Sequence, residues 1–158
     1  MKFVSILAST ACALALGGGA QAASVKLPHR MSTVAVRAPG ATAIVGTWLT
    51  AYDGGVHSAF TQWHKDGTTS QIVDQVPKTG TNVQLGDWTA NEDGSLSHFL
   101  IGWTYDAKGK TLSGYFTKSE TDTVSGDSYS GTFEVTFYDL AGNILFQHDG
   151  TLNATRVN

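Results

Sequence analysis

The sequence predicts an all-β fold, an eight-stranded antiparallel up-and-down β-barrel over residues 44–158. Three observations predict it. From Ile44 onward, runs of roughly eight to eleven residues, rich in aromatic and β-branched side chains, alternate with Gly-, Asn- and Asp-containing turns. No run carries a helical period. The links between runs are short, which forces neighbouring strands to be antiparallel, and closing such a row removes both exposed edges. A two-sheet sandwich is the alternative, but it needs longer crossing connections than these.

The elements follow in order. Residues 1–23 read as a secretory signal peptide. Met1-Lys2 precedes an apolar stretch through Leu16, and Ala20-Gln21-Ala22 offers a small-x-small cleavage site. The expected location is therefore secreted or periplasmic. Cys12 is the one cysteine and would leave with the signal. Disulfides, thiol catalysis and Cys-bound metal are then excluded from the mature chain. A lipoprotein reading through Cys12 lacks the usual aliphatic residue in Ser9-Thr10-Ala11. Residues 24–43, with Pro28, Pro39 and Gly40, read as a flexible arm.

The first strand is Ile44 to Tyr52, ended by Asp53-Gly54-Gly55. The next three are Ser58 to His64, Thr68 to Gln75, ended by Pro77-Lys78-Thr79-Gly80, and Asn82 to Ala90. Leu96 to Tyr105 and Thr111 to Glu120 form the fifth and sixth, Ser128 to Tyr138 and Ile144 to Thr155 the last two. Asp-Gly and Gly-Asn pairs suit tight hairpins because Gly and Asn accept positive φ cheaply. The repeated Tyr52-Asp53, Tyr105-Asp106 and Tyr138-Asp139 read as turn chemistry, or alternatively as a rim of acids for a cation.

Composition bounds the function. Hydrophobic residues make up 41% of the chain and charged ones 15%, which fits a folded domain. The net charge is −3, with no basic stripe, so no nucleic-acid partner is expected. No stable membrane insertion is expected either, since the only apolar run long enough to notice is the signal.

Period-two alternation sorts the faces. On the seventh strand Tyr129, Gly131, Phe133, Val135 and Phe137 should point inward. The fifth should direct Phe99, Ile101, Trp103 and Tyr105 inward, and the eighth Ile144, Phe146, His148, Gly150 and Leu152. Leu112, Gly114 and Phe116 follow on the sixth, with Gly46, Trp48, Thr50 and Tyr52 on the first. Inward glycines either leave space for a ligand or permit close packing at bends.

Local motifs for catalysis are few. No two of His29, His57, His64, His98 and His148 have local metal-pair spacing, so no metal and no cofactor is expected. His64, His98 and His148 read as surface or rim residues. Glu120 and Asp122 share one strand face, with solvent exposure the default. No nucleophile elbow occurs.

Gly46-Thr47-Trp48 on the first strand resembles the Gly-x-Trp signature of lipocalins and the wider calycin group, and Arg156 follows the last strand as a basic residue does there. The resemblance implies a Trp at the barrel floor with the Arg packed over its ring. Leu140-Ala141-Gly142 leaves no space for the helix usual before the last strand, so the layout resembles a small bacterial lipocalin-like domain more than a kernel lipocalin. Avidin-like barrels also begin with Gly-Thr-Trp. Tyr129 to Phe133, with Tyr138 to Asn143 and Phe146, resembles the late strands of allene oxide cyclase and dirigent barrels, which would imply a cavity that guides cyclisation.

The expectation is a carrier for a small apolar molecule. Its ligand-binding residues would be Trp48, Phe99, Ile101, Trp103, Phe116, Tyr129, Phe133, Phe137, Phe146 and His148. Two alternatives stand beside it. One is a cyclase- or isomerase-type enzyme using His148 with Tyr115 or Tyr129, and the other is a solid-core structural or interaction module.

Overall fold

A computed structural model of the chain describes residues 41–74 and 83–158. The expected signal peptide, most of the arm and the Pro77–Gly80 turn lie outside the described residues.

Eight strands form: β1 Gly46–Tyr52, β2 His57–Trp63, β3 Thr68–Val73, β4 Val83–Ala90, β5 Leu96–Tyr105, β6 Leu112–Ser125, β7 Ser128–Asp139 and β8 Ile144–Arg156. Each pairs antiparallel with the next, and β8 returns to β1, with Trp48 opposite Arg156 and Tyr52 opposite Leu152. The barrel is closed, as the turn spacing predicted. The described residues contain no helix, so none is long and apolar enough to cross a membrane.

Asp side chains build the turns. Asp66 accepts from the Thr68 backbone and hydroxyl, Asp93 likewise from Ser95, and Asp139 from Asn143. Asp106 accepts from the Lys108 and Lys110 amides. These bonds favour the charged form and hold the four carboxyls below the ordinary aspartate range. The turn reading therefore holds for Asp106 and Asp139. Asp53 instead reaches across to β8, and its own residue takes a positive φ of 48°.

β6 runs beyond its predicted end at Glu120 to Ser125, where Gly126-Asp127 makes a tight hairpin into β7. The extra length carries Asp122 into the barrel interior beside Glu120. Both are buried, not exposed as their charge led the sequence reading to expect. That also corrects the facing of β5. Phe116, Lys118, Glu120 and Asp122 point inward, and they stand opposite Gly102, Leu100, His98 and Leu96. Directly opposed residues share a face, so Phe99, Ile101 and Trp103 lie on the outer wall. There Trp103 pairs with Tyr115, and Tyr115 stacks on Tyr138 at 4.8 Å. Ring content misled because this outer wall is aromatic too.

The inward glycines do not make empty space. A Cβ on Gly131 would lie 2.2 Å from the Thr121 carbonyl oxygen, and one on Gly150 would lie 2.1 Å from Asp53 Oδ1. Their neighbours already occupy the room, which is the close-packing reading.

One end of the barrel is sealed by rings. Trp48, Trp63, Trp88 and Tyr129 are buried there. Trp63 meets Trp88 edge-on at 5.7 Å and Tyr129 at 5.8 Å. Below them the Arg156 guanidinium lies 4.1 Å from the Trp48 ring centroid. It also donates to the Val45 and Ala43 carbonyls and to Asp127. A lysine would keep the charge but lose the planar fork. Arg156→Lys should therefore cost about 1–2 kcal/mol in urea unfolding, with an unchanged denaturant slope.

Candidate functional site

The interior is built in three layers along the barrel axis: the aromatic floor, a polar middle and a hollow upper end. Strand direction decides which residues meet. β1, β3, β5 and β7 run from one end to the other while β2, β4, β6 and β8 return, so Tyr52, Val73, Gln84, Phe116 and Phe133 converge near one mouth.

The middle layer is one connected set of buried polar side chains. Lys118 Nζ donates to Glu120 Oε1 at 2.8 Å, to Tyr52 OH at 2.7 Å and to Gln71 Oε1 at 2.6 Å. Gln71 Nε2 donates to Tyr52 OH and Thr61 Oγ1, both at 2.7 Å. Thr61 bonds Thr50 at 2.9 Å, and Thr50 bonds Tyr129 OH at 2.8 Å. Tyr52 OH donates to Glu120 Oε1 at 2.8 Å. On its other oxygen, Glu120 lies 2.7 Å from His98 Nδ1, and His98 Nε2 lies 3.1 Å from Thr69 Oγ1. All three ammonium hydrogens of Lys118 thus have acceptors.

The electrostatics follow from that geometry. Burial alone would raise Glu120, but Lys118 and then His98 override it and hold the carboxyl far below the glutamate range. Burial pulls Lys118 below the usual lysine value while Glu120 pulls it back. Its three acceptors keep it an ammonium. Tyr52 and Tyr129 are both pushed well up, by burial first and then by the Glu120 charge, so each is a neutral phenol. Asp122 differs: its carboxyl is fully buried, neither oxygen has a hydrogen-bond partner among the described residues, and burial followed by Glu120 pushes it up to about 9.

Above this layer is a cavity of about 290 Å³. Its walls are mainly apolar: Phe116, Phe133, Val135, Phe137, Phe146 and Val73. Its polar lining residues are Lys118, Tyr52 and Gln84, with Asp53, His57 and His148. Val56, Phe146 and His148 are exposed at the mouth. Gln84 is 6% exposed and its Oε1 has no partner among the described residues. An unmet buried acceptor costs about 1–3 kcal/mol, so Gln84 presents a standing demand for a donor.

The sequence-predicted residues divide by place. Phe116, Phe133, Phe137, Phe146 and His148 line the cavity. Trp48 and Tyr129 lie in the floor and middle layers beneath it. Phe99, Ile101 and Trp103 are on the outer wall, and so is Tyr115, which cannot act on anything held with Phe116. His148 is a rim residue; its Nε2 lies 2.9 Å from Asp53 Oδ2, and that bond is the main reason Asp53 is held below its ordinary range. Sequence reasoning missed Gln71, Gln84, His98, Lys118, Glu120 and Asp122. Parity could have found the acids, because Lys118, Glu120 and Asp122 continue the inward register of Phe116 while Ser119, Thr121 and Thr123 are exposed.

No family model, no curated protein and no solved structure matches this chain.

Proposed function

We propose that the protein is a carrier, secreted or periplasmic, that holds one small apolar molecule bearing a single hydroxyl or N–H group. The observation that carries this reading is the phenylalanine-walled cavity, with Gln84, whose buried amide oxygen has no partner among the described residues, as one of its lining side chains. Ring and valine walls supply affinity in proportion to the apolar area they cover. The polar floor adds selectivity, because a donor on the ligand relieves Gln84 while a pure hydrocarbon leaves it unmet. Lys118 adds no comparable anchor, since its donors are already spent on Glu120, Tyr52 and Gln71.

Displacement of the fluorophore 1-aminoanthracene tests the reading. A short 4-alkylphenol should compete about tenfold better than the matching alkylbenzene. In Gln84→Leu that preference should vanish while the alkylbenzene binds as well or better. Val135→Trp, which places an indole in the cavity, should abolish uptake and keep the native near-ultraviolet circular dichroism. Equal uptake by wild type and Val135→Trp would defeat the carrier reading.

The Asp53–His148 pair at the rim favours a second reading, an enzyme of the cyclase or isomerase type with His148 as proton handler. The two separate through His148→Phe, which a carrier tolerates with little change in affinity and an enzyme does not survive in turnover.

A further inference from the structure

We propose that His98, Glu120 and Asp122 form a buried site for one divalent transition-metal ion, of the zinc, cobalt or manganese class. The three side chains come from β5 and β6, where His98 faces Glu120 and Asp122 follows two residues on, on the same face. One donor atom from each lies within 4.8 Å of the others, and all three residues are buried. An imidazole with two carboxylates is a donor set suited to these ions. The site is separate from the carrier cavity, for none of the three lines it.

Asp122 is the independent observation. A carboxyl group at zero exposure with both oxygens unpartnered among the described residues is an expensive way to fill a core, and native interiors avoid it unless a cation or proton is supplied. The backbone makes room for it: Gly131 packs so close that a Cβ there would lie 2.4 Å from Asp122 Oδ1. Lys118 does not meet the need, because its three hydrogens go to other oxygens.

The surroundings are also those a metal-bound imidazole requires. With the cation on Nδ1 in place of hydrogen, the ring keeps its proton on Nε2. That proton points at Thr69 Oγ1, 3.1 Å away, whose own hydroxyl donates to the Gln62 carbonyl at 3.0 Å. Such outer partners fix the tautomer and the ring plane. On the other side, Glu120 keeps Oε1 for Lys118 and Tyr52, while Oε2, which bonds His98 Nδ1 at 2.7 Å, would turn to the ion once the cation replaces the hydrogen between them. The Trp63 ring lies 4.3 Å from the imidazole, centroid to centroid, and closes the site from the floor. Enclosure on every side makes this a structural site, loaded as the barrel closes.

The test is to refold the full chain from guanidinium with Co²⁺ or with EDTA, then gel-filter it. We expect one cobalt per chain, a visible d–d absorption band and partial quenching of tryptophan emission through Trp63. Asp122→Asn and His98→Gln, both checked for native near-ultraviolet dichroism, should bind at least about tenfold more weakly. Zn²⁺ should raise the wild-type melting temperature and leave that of Asp122→Asn unmoved. Cobalt content near zero in the wild type, or equal in the wild type and Asp122→Asn, would overturn the proposal.

Discussion

Lys118→Met should destabilise the barrel by about 3–5 kcal/mol, the largest loss expected of any single substitution outside the aromatic floor. The methionine fills much the same volume, so a cavity is not the cause. What is lost is the ammonium that balances Glu120, whose side chain has no exposure. Gln71 Oε1 also loses its donor, and Tyr52 OH keeps only that from Gln71 Nε2. Glu120 must then either stay charged with only His98 and Tyr52 to support it or take up a proton. The double variant Lys118→Met, Glu120→Gln removes the charge from both sides and should recover much of the loss, because a neutral pair avoids the desolvation that a lone buried charge suffers. Urea unfolding of the four proteins in that cycle gives the coupling directly. Equal destabilisation in the single and double variants would mean that Lys118 acts by packing alone.

Asp122→Asn should do the opposite, and its effect should grow with pH. In the metal-free protein the Asp122 carboxyl is pushed up to about 9, by burial and then by Glu120, from an ordinary value of 3.8. A raised folded-state value makes a contribution that is fully present below the unfolded value and lost as pH rises. Between about pH 4 and 9 the native chain holds a proton that the unfolded chain has released. Wild-type stability then falls by up to about 1.4 kcal/mol per pH unit relative to a variant without that carboxyl. Asparagine keeps the shape and carries no such slope. The depressed Glu120 acts with the reverse sign, losing stability as pH falls, but it is present in both proteins and cancels in the comparison. Unfolding in EDTA at pH 5 and pH 8 should therefore show the advantage of Asp122→Asn widening by a few kcal/mol. A constant difference across that range would show that Asp122 is charged in the native state.

These two residues also show where the sequence was legible and where it was not. The strand count and the β1–β8 closure followed from turn chemistry, which is local: Asp106 and Asp139 bond to amides within four residues. The same holds for Phe133, Phe137 and Phe146, whose strands alternate cleanly enough for parity to place them at the cavity. The charged interior is not local. Lys118 is made tolerable by Gln71, 47 residues earlier, and Glu120 by Tyr52, 68 residues earlier. A Lys-x-Glu-x-Asp run reads as a solvated face until those partners are known. The facing of β5 depended on the same fact. With Glu120 inside, His98 opposite it must be inside too, and Phe99, Ile101 and Trp103 are turned out.

The outer wall has its own consequence for β1 to β4. Leu49, Phe60, Ile72 and Val83 stand opposite one another strand by strand, each roughly half exposed. They shield one another laterally as cross-strand neighbours do. The outer face of β6 beyond Thr117 is instead polar, with Ser119, Thr121 and Thr123 exposed.

A non-denaturing mass spectrum of the chain with a 4-alkylphenol addresses the hollow upper end most directly. One adduct per wild-type chain, absent from Val135→Trp, is the result that follows from a cavity walled by Phe116, Phe133 and Phe137 above the Lys118 layer. Adducts of equal intensity on both proteins, or on neither, would contradict it.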